Sequence, residues 1–181
     1  MYIAAVKNTD WIVAIGGVRD VEFSDVDEIL SKVRSISGGT QFQLFNADLI
    51  SGWKHLYYAA VNAVNTFTSG AGISRSLSLE TLLYASCQNQ ISSAFKLLGL
   101  KPGDRNVAVM VFGKQKNELL EVLEEISELL GVREDKVLEL NDVKKPSLKK
   151  AYGISDIELA TVKRNDALTW LIIERGALLR R

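Results

Sequence analysis

The chain is poor in the residues from which most reaction centres are built. It has one cysteine, Cys87, and one histidine, His55, among 181 residues. A single thiol excludes an internal disulfide, and the expected compartment is therefore the reducing cytoplasm. One histidine and one cysteine, far apart in sequence, do not make the three- or four-ligand set of a zinc site. Net charge is also missing, with 22 basic residues against 22 acidic ones. That excludes a protein that coats long stretches of nucleic acid through a general cationic excess, and leaves room for a local basic site. No apolar run approaches the ~18 residues of a membrane span, and the first residues lack the basic and apolar regions of a signal peptide. Proline is scarce, at two residues, so little interrupts helices.

What is present is a globular composition, 47% hydrophobic and 24% charged. The length suits one domain, residues 1–181, with a real core. Residues 1–6 and 11–15 read as two short strands around the turn chemistry of Asn8, Thr9 and Asp10, with Gly16 and Gly17 closing the second. A helix is expected from Ser24 as its cap, with Val26, Ile29, Leu30 and Val33 inward, and a half-buried strand at residues 41–45. Residues 52–67 spell a helix with an aromatic face. Residues 107–112, apolar at every position, read as a central strand. A helix capped by Asn117 runs to Leu130 and turns its leucines inward and its glutamates outward. Residues 143–150 read as a polar connector, followed by a short helix at residues 155–159 and a long one at residues 166–179. Two strands standing together at the start favour an α+β fold over a doubly wound parallel sheet. The expected sheet is mixed and largely antiparallel, of about four or five strands, packed with several helices.

Enzyme motifs are thin. His55 reads as an ordinary surface or partly packed residue. Cys87 has no evident base and reads as a buried, inert thiol. Neither Gly16-Gly17 nor the loop Gly113-Lys114-Gln115-Lys116 completes a nucleotide-binding pattern. No cofactor and no metal are called for. Residues 69–76 form a serine-rich loop with Arg75, leading into a helix. That entry suits an anion at the helix end, or equally a capped helix in which Ser78 is the cap and Glu80 serves the dipole. A polar elbow, Ser86-Cys87-Gln88-Asn89-Gln90, then leads to a second helix through Ile91, Ala94, Phe95 and Leu98. The final helix is apolar on nearly all sides. It is either a central core helix or one whose second side another protein covers.

These features resemble the PRPK-binding protein family (TPRKB in animals), a small subunit of the KEOPS/EKC complex. The resemblance rests on the Arg75-Ser76 entry, on Glu80-Thr81-Leu82-Leu83-Tyr84-Ala85-Ser86, and on Gln90-Ile91-Ser92-Ser93-Ala94 ending at Leu98-Gly99. Asn46-Ala47 and the closing run from Ile173 to Leu179 support it, while Cys87, Asn89 and Gly176 depart from the pattern. It implies a non-catalytic subunit that docks on the kinase-like ATPase of the complex. It also implies help in recruiting tRNA by its single-stranded 3′ CCA end, for threonylcarbamoylation of adenosine beside the anticodon. On that basis Lys54, His55, Ser74, Arg75, Ser76, Gln88, Asn89 and Gln90 are expected to hold tRNA. Leu168, Leu171, Ile172, Ala177 and Leu178 are expected to dock the kinase, so that Ile172→Glu would abolish docking in a protein that still folds. No membrane and no small-molecule substrate enter this reading. Its rivals are an anion-binding enzyme or sensor built on the glycine loops, and a self-assembling structural protein.

Overall fold

The computed structural model describes residues 1–179. In chain order the elements are β1 (Tyr2–Ala5), β2 (Ile12–Arg19), α1 (Val26–Ile36), β3 (Gln41–Asn46), α2 (Trp53–Thr68), α3 (Leu77–Ser86), α4 (Ile91–Leu98), β4 (Val107–Gly113), α5 (Lys116–Leu130), β5 (Val132–Arg133), α6 (Lys145–Tyr152), α7 (Asp156–Thr161) and α8 (Ala167–Ala177), with 3-10 turns at Ala47–Leu49 and Asp135–Leu138. The class is α+β. The chain forms two compact units, one from Met1–Asp48 and Gly99–Leu138, the other from Leu49–Leu98 and the residues after Leu138.

The first unit is built on the sheet, in the order β1-β2-β4-β3, with β5 also paired to β2. Every pairing is antiparallel, and β2 and β3, which flank β4, therefore run parallel to each other and are joined by a crossover through α1. β4 is central because residues 107–112 are all buried, which a strand achieves only when flanked on both edges and covered on both faces. On one face Ala14, Val18, Leu44, Val109 and Val111 meet Leu119, Leu123, Ile126 and Leu130 of α5 and Ile29 and Val33 of α1. Each fully buried aliphatic side chain of this kind is worth about 1.5–3 kcal/mol. Glu118, Glu121, Glu125 and Glu128 stay in water, as the spacing of the helix dictates.

The glycine pair does not close β2 but lies within it. A Cβ on Gly17 would stand 2.6 Å from Val137 Cγ2 and 2.7 Å from the Glu134 carbonyl oxygen. Glycine there lets the 3-10 turn lie flat on the strand, and Gly17 exchanges hydrogen bonds with Glu134 N (2.8 Å) and Asp135 Oδ1 (3.0 Å). Two helix starts also shift. Asp25, not Ser24, caps α1 by accepting from Asp27 N at 2.8 Å, and α5 begins at Lys116, one residue before the expected cap.

The second unit is helical. Its enclosed member is α3, where Leu77 and all of residues 80–86 are buried. The supposed connector at residues 143–150 contains α6, whose Leu148 and Tyr152 face inward at i, i+4 spacing, with Gly153 ending it in the left-handed conformation (φ 62°). Around them Leu148, Tyr152, Ile154, Leu168 and Ile172 form one apolar cluster. α7 opens on a capping box between Ser155 and Glu158. Among the described residues no helix is long and apolar enough to cross a membrane.

Candidate functional site: two ends of α3 and the face of α8

At its start α3 is capped by Ser76, whose Oγ accepts from Leu79 N (3.4 Å) and lies 2.8 Å from Ser78 Oγ. Ser78 is therefore not the cap. Ser74 Oγ accepts from Ser76 N at 3.0 Å. Glu80 is wholly buried and its carboxylate accepts the Ser74 amide. A carboxylate of the chain itself thus fills the position an external anion would take among the loop amides, and the capped-helix alternative prevails. Arg75 is exposed beside it.

At its end α3 turns sharply. Cys87 is left-handed (φ 55°), an uncommon conformation for a residue with a side chain. The backbone around it is pinned from several sides. Gln88 N donates to Leu83 O at 3.1 Å, and the Ala85 carbonyl accepts from both His55 Nε2 (2.8 Å) and Tyr152 Oη (3.2 Å). His55 Nδ1 accepts from Ser51 N at 3.3 Å, so the ring is the neutral Nε2–H tautomer. Burial holds its pKa down, to about 4. At 2% exposure His55 cannot touch an outside ligand. It is removed from the tRNA set and becomes a brace of the elbow, because a ring with both nitrogens satisfied internally is more stable inside than out.

The Cys87 thiol donates weakly to Ile172 O at 3.5 Å, and burial pushes its pKa up to about 12, so it stays protonated and unreactive. From this corner Gln88 is half-buried, while Asn89 and Gln90 stand in water. α3 has ten residues, about 15 Å at the rise of an α-helix. The Arg75 loop and the elbow are therefore at opposite ends of a buried rod rather than side by side. Lys54 belongs to neither end; its Nζ lies 3.9 Å from Asp166 Oδ2 and 6.0 Å from the Trp170 ring centre.

The departure at Gly176 has a plain cause. A Cβ there would sit 2.7 Å from the Tyr84 carbonyl oxygen, so only glycine lets α8 rest against the end of α3. Gly176→Ala is expected to destabilise the chain by about 2 kcal/mol, through a clash with backbone rather than with a movable side chain. A urea titration should show a lower midpoint with an unchanged slope.

α8 is not enclosed. Its inward side is Ala167, Leu168, Thr169, Ile172 and Gly176. Leu168 and Ile172, expected to dock a partner, are core residues at 4% and 0% exposure, and they leave the candidate interface. Leu171 is half-buried against the same cluster. Ala177 and Leu178 are exposed, Leu178 at 69%. Ile173 is half-buried and lies one turn before Ala177; periodicity could not separate it from Ile172, since both are isoleucines in an apolar run. Trp170, on the same side, is held by Asp166 Oδ2, which accepts from its indole nitrogen at 2.8 Å, and by the Arg164 guanidinium 4.7 Å from its ring centre. A crevice of about 310 Å³ opens between the elbow and α8, lined by Cys87, Gln88, Ala151, Tyr152, Arg175 and Leu178. Arg175 is fixed there by donating to the Tyr152 carbonyl and to Glu158 Oε1.

A helical unit with a pinned polar corner and an apolar outer rim on its last helix is the geometry of a docking module. The regulatory protein Cgi121 of Methanocaldococcus jannaschii is 33% identical over 117 residues, which cover 64% of this chain and 72% of that protein. The profile of the family described as kinase binding protein CGI-121 matches residues 18–180, nearly the whole chain, and the protein belongs to that family.

Proposed function

We propose that this protein is the kinase-docking accessory subunit of a KEOPS complex, that it works without catalysing a reaction itself, and that it helps to recruit tRNA for threonylcarbamoylation in the cytoplasm. The observation that carries the reading is the outer rim of α8 within a kinase-binding family. Leu178 and Ala177 are exposed at the end of a helix whose inward side is committed to the core, and Ile173 is partly buried one turn before Ala177. An apolar rim on a folded surface is stabilised when a partner removes it from water, at about 25 cal/mol per Å². Leu171 contributes from the edge of the same surface. Gln88, Asn89 and Gln90 at the elbow and the exposed Arg75 at the loop are two separate polar places for tRNA, and Lys54 a third, while Ser74 and Ser76 are engaged in capping α3.

Leu178→Glu is expected to weaken co-elution with the kinase-like ATPase subunit about tenfold, because a carboxylate would have to be dehydrated at the contact. The variant should keep the parent's urea midpoint, since the side chain is already in water. Undiminished co-elution would move the docking surface off α8. A pull-down from cell extract, analysed for the kinase-like subunit and for tRNA, tests both halves of the reading together.

A further inference from the structure

We infer that the crevice between the elbow and α8 is a socket for one uncharged aromatic side chain with a polar tip, a tyrosine or a tryptophan, carried by the kinase-like subunit. This rests on the kinase-docking reading above and names the group which that reading brings to α8. The walls are Cys87 and Gln88 of the elbow, Ala151 and Tyr152 of α6, and Arg175 and Leu178 at the end of α8. Leu178 belongs at once to the crevice and, at 69% exposure, to the apolar rim. A chain lying on the rim therefore passes over the mouth of the crevice.

Size limits the guest. At about 310 Å³ the space stands at the lower end of the ~300–1,000 Å³ of pockets that hold whole ligands. It is too small to enclose a nucleotide or a cofactor of that size, whereas one large side chain fills it. Charge limits the guest further. The Arg175 guanidinium lies 2.5 Å from Glu158 Oε1, so its charge is already answered, and burial keeps the Cys87 thiol protonated. A phosphate or carboxylate would lose its water there without gaining an unanswered cation. Polar atoms nevertheless remain for a hydroxyl or an indole N–H. Gln88 Nε2 donates to Ser86 O at 3.4 Å, which leaves its amide oxygen to accept. Arg175 donates to Tyr152 O and to Glu158 and keeps further N–H groups. An apolar body with a polar tip is the pattern of tyrosine and tryptophan, the residues that most often anchor interfaces. The walls are also fixed beforehand, the elbow by the two hydrogen bonds to Ala85 O and Arg175 by its two acceptors, so little freedom is lost on docking.

The test fills the socket from its own wall. Ala151 is partly exposed and lines the crevice, and Ala151→Phe puts a ring into the space. In the whole protein this variant is expected to weaken co-elution with the kinase-like subunit at least about tenfold, the scale of one lost anchor, at the parent's urea midpoint. Ala151→Ser, which leaves the space open, should bind as the parent does. Equal co-elution of parent and Ala151→Phe overturns the socket and leaves kinase docking standing; failure of the parent to co-elute removes both. Weaker tRNA binding by Ala151→Phe with co-elution intact would give the crevice to RNA and overturn the socket as well. Should Ala151→Phe prove unstable, the parent titrated with p-cresol, which is a tyrosine side chain without its backbone, decides. The backbone amide signals of Cys87, Gln88 and Leu178 should shift with p-cresol and not with inorganic phosphate. No shift, or the same shift with phosphate, overturns the site.

Discussion

Ile172→Glu is expected to unfold the second unit instead of releasing a kinase from it. The side chain has no exposed surface and packs among Leu148, Tyr152, Ile154 and Leu168. Removing it forfeits its burial and leaves a cavity, a loss of about 2–5 kcal/mol. A carboxylate in its place finds no arginine or lysine in that cluster and must either ionise without a partner or take up a proton. Together these effects reach about 5 kcal/mol or more, comparable with the whole stability of a small domain. The backbone is implicated too, because Ile172 O accepts the Cys87 thiol at the elbow. Far-UV circular dichroism with urea titration should find little cooperative folding in this variant. Ile172→Val should cost only about 1 kcal/mol and retain kinase co-elution. A folded, soluble Ile172→Glu protein that had merely lost its partner would show that the residue faces outward, contrary to the packing described.

Acid should weaken the protein through His55. The folded state keeps this ring neutral down to a pKa of about 4, because burial opposes its charge, against an ordinary value of 6.5. Above pH 6.5 both states are neutral there and the residue contributes no pH dependence. As the pH falls below 6.5 the unfolded chain takes up a proton that the folded one refuses. Stability then declines by about 1.4 kcal/mol per pH unit until the folded pKa is reached, about 3 kcal/mol in all. Carboxylates titrate in the lower part of the same window, so the discriminating comparison is with His55→Gln. That variant should start less stable at pH 7.5, having lost the fit of the ring between Ser51 and Ala85. It should decline less steeply than the parent between pH 6.5 and 4.5. Parallel declines in urea midpoint would assign the acid sensitivity to other groups.

Much of the architecture could be read from local pattern. β4 announces itself by six successive apolar residues, and α5 by leucines and isoleucine at helical spacing opposite glutamates. The elbow is spelled by a polar run between two apolar helical segments. Other features left no clear local trace. α6 has only Leu148 and Tyr152 to bury among four lysines, Lys144, Lys145, Lys149 and Lys150, so its pattern reads as a solvated linker. Gly16 and Gly17 look like a strand terminator because the reason for them, the turn lying on β2, is distant in sequence. His55 resembles a surface residue of an aromatic helix until the Ala85 carbonyl and the Ser51 amide are brought to its two nitrogens.

The sequence by itself determined the α+β class, the positions of most strands and helices, the poverty in metal-ligating and nucleophilic groups, and the likeness to a kinase-binding family. The likeness rests on particular motifs, those of the α3–α4 helix pair and the closing run; the rest follows from composition and from periodicities of two and 3.6 residues, which are properties of neighbouring residues. Only the tertiary structure decided which side of each apolar helix is spent on the core. α8 carries apolar residues nearly all round, yet Ile172 is enclosed and Leu178 is not; α4 hides Ala94 and Leu98 and presents Phe95. Two helices with the same alphabet differ in this way because burial depends on what is packed opposite, and that is set by contacts between residues far apart in the chain.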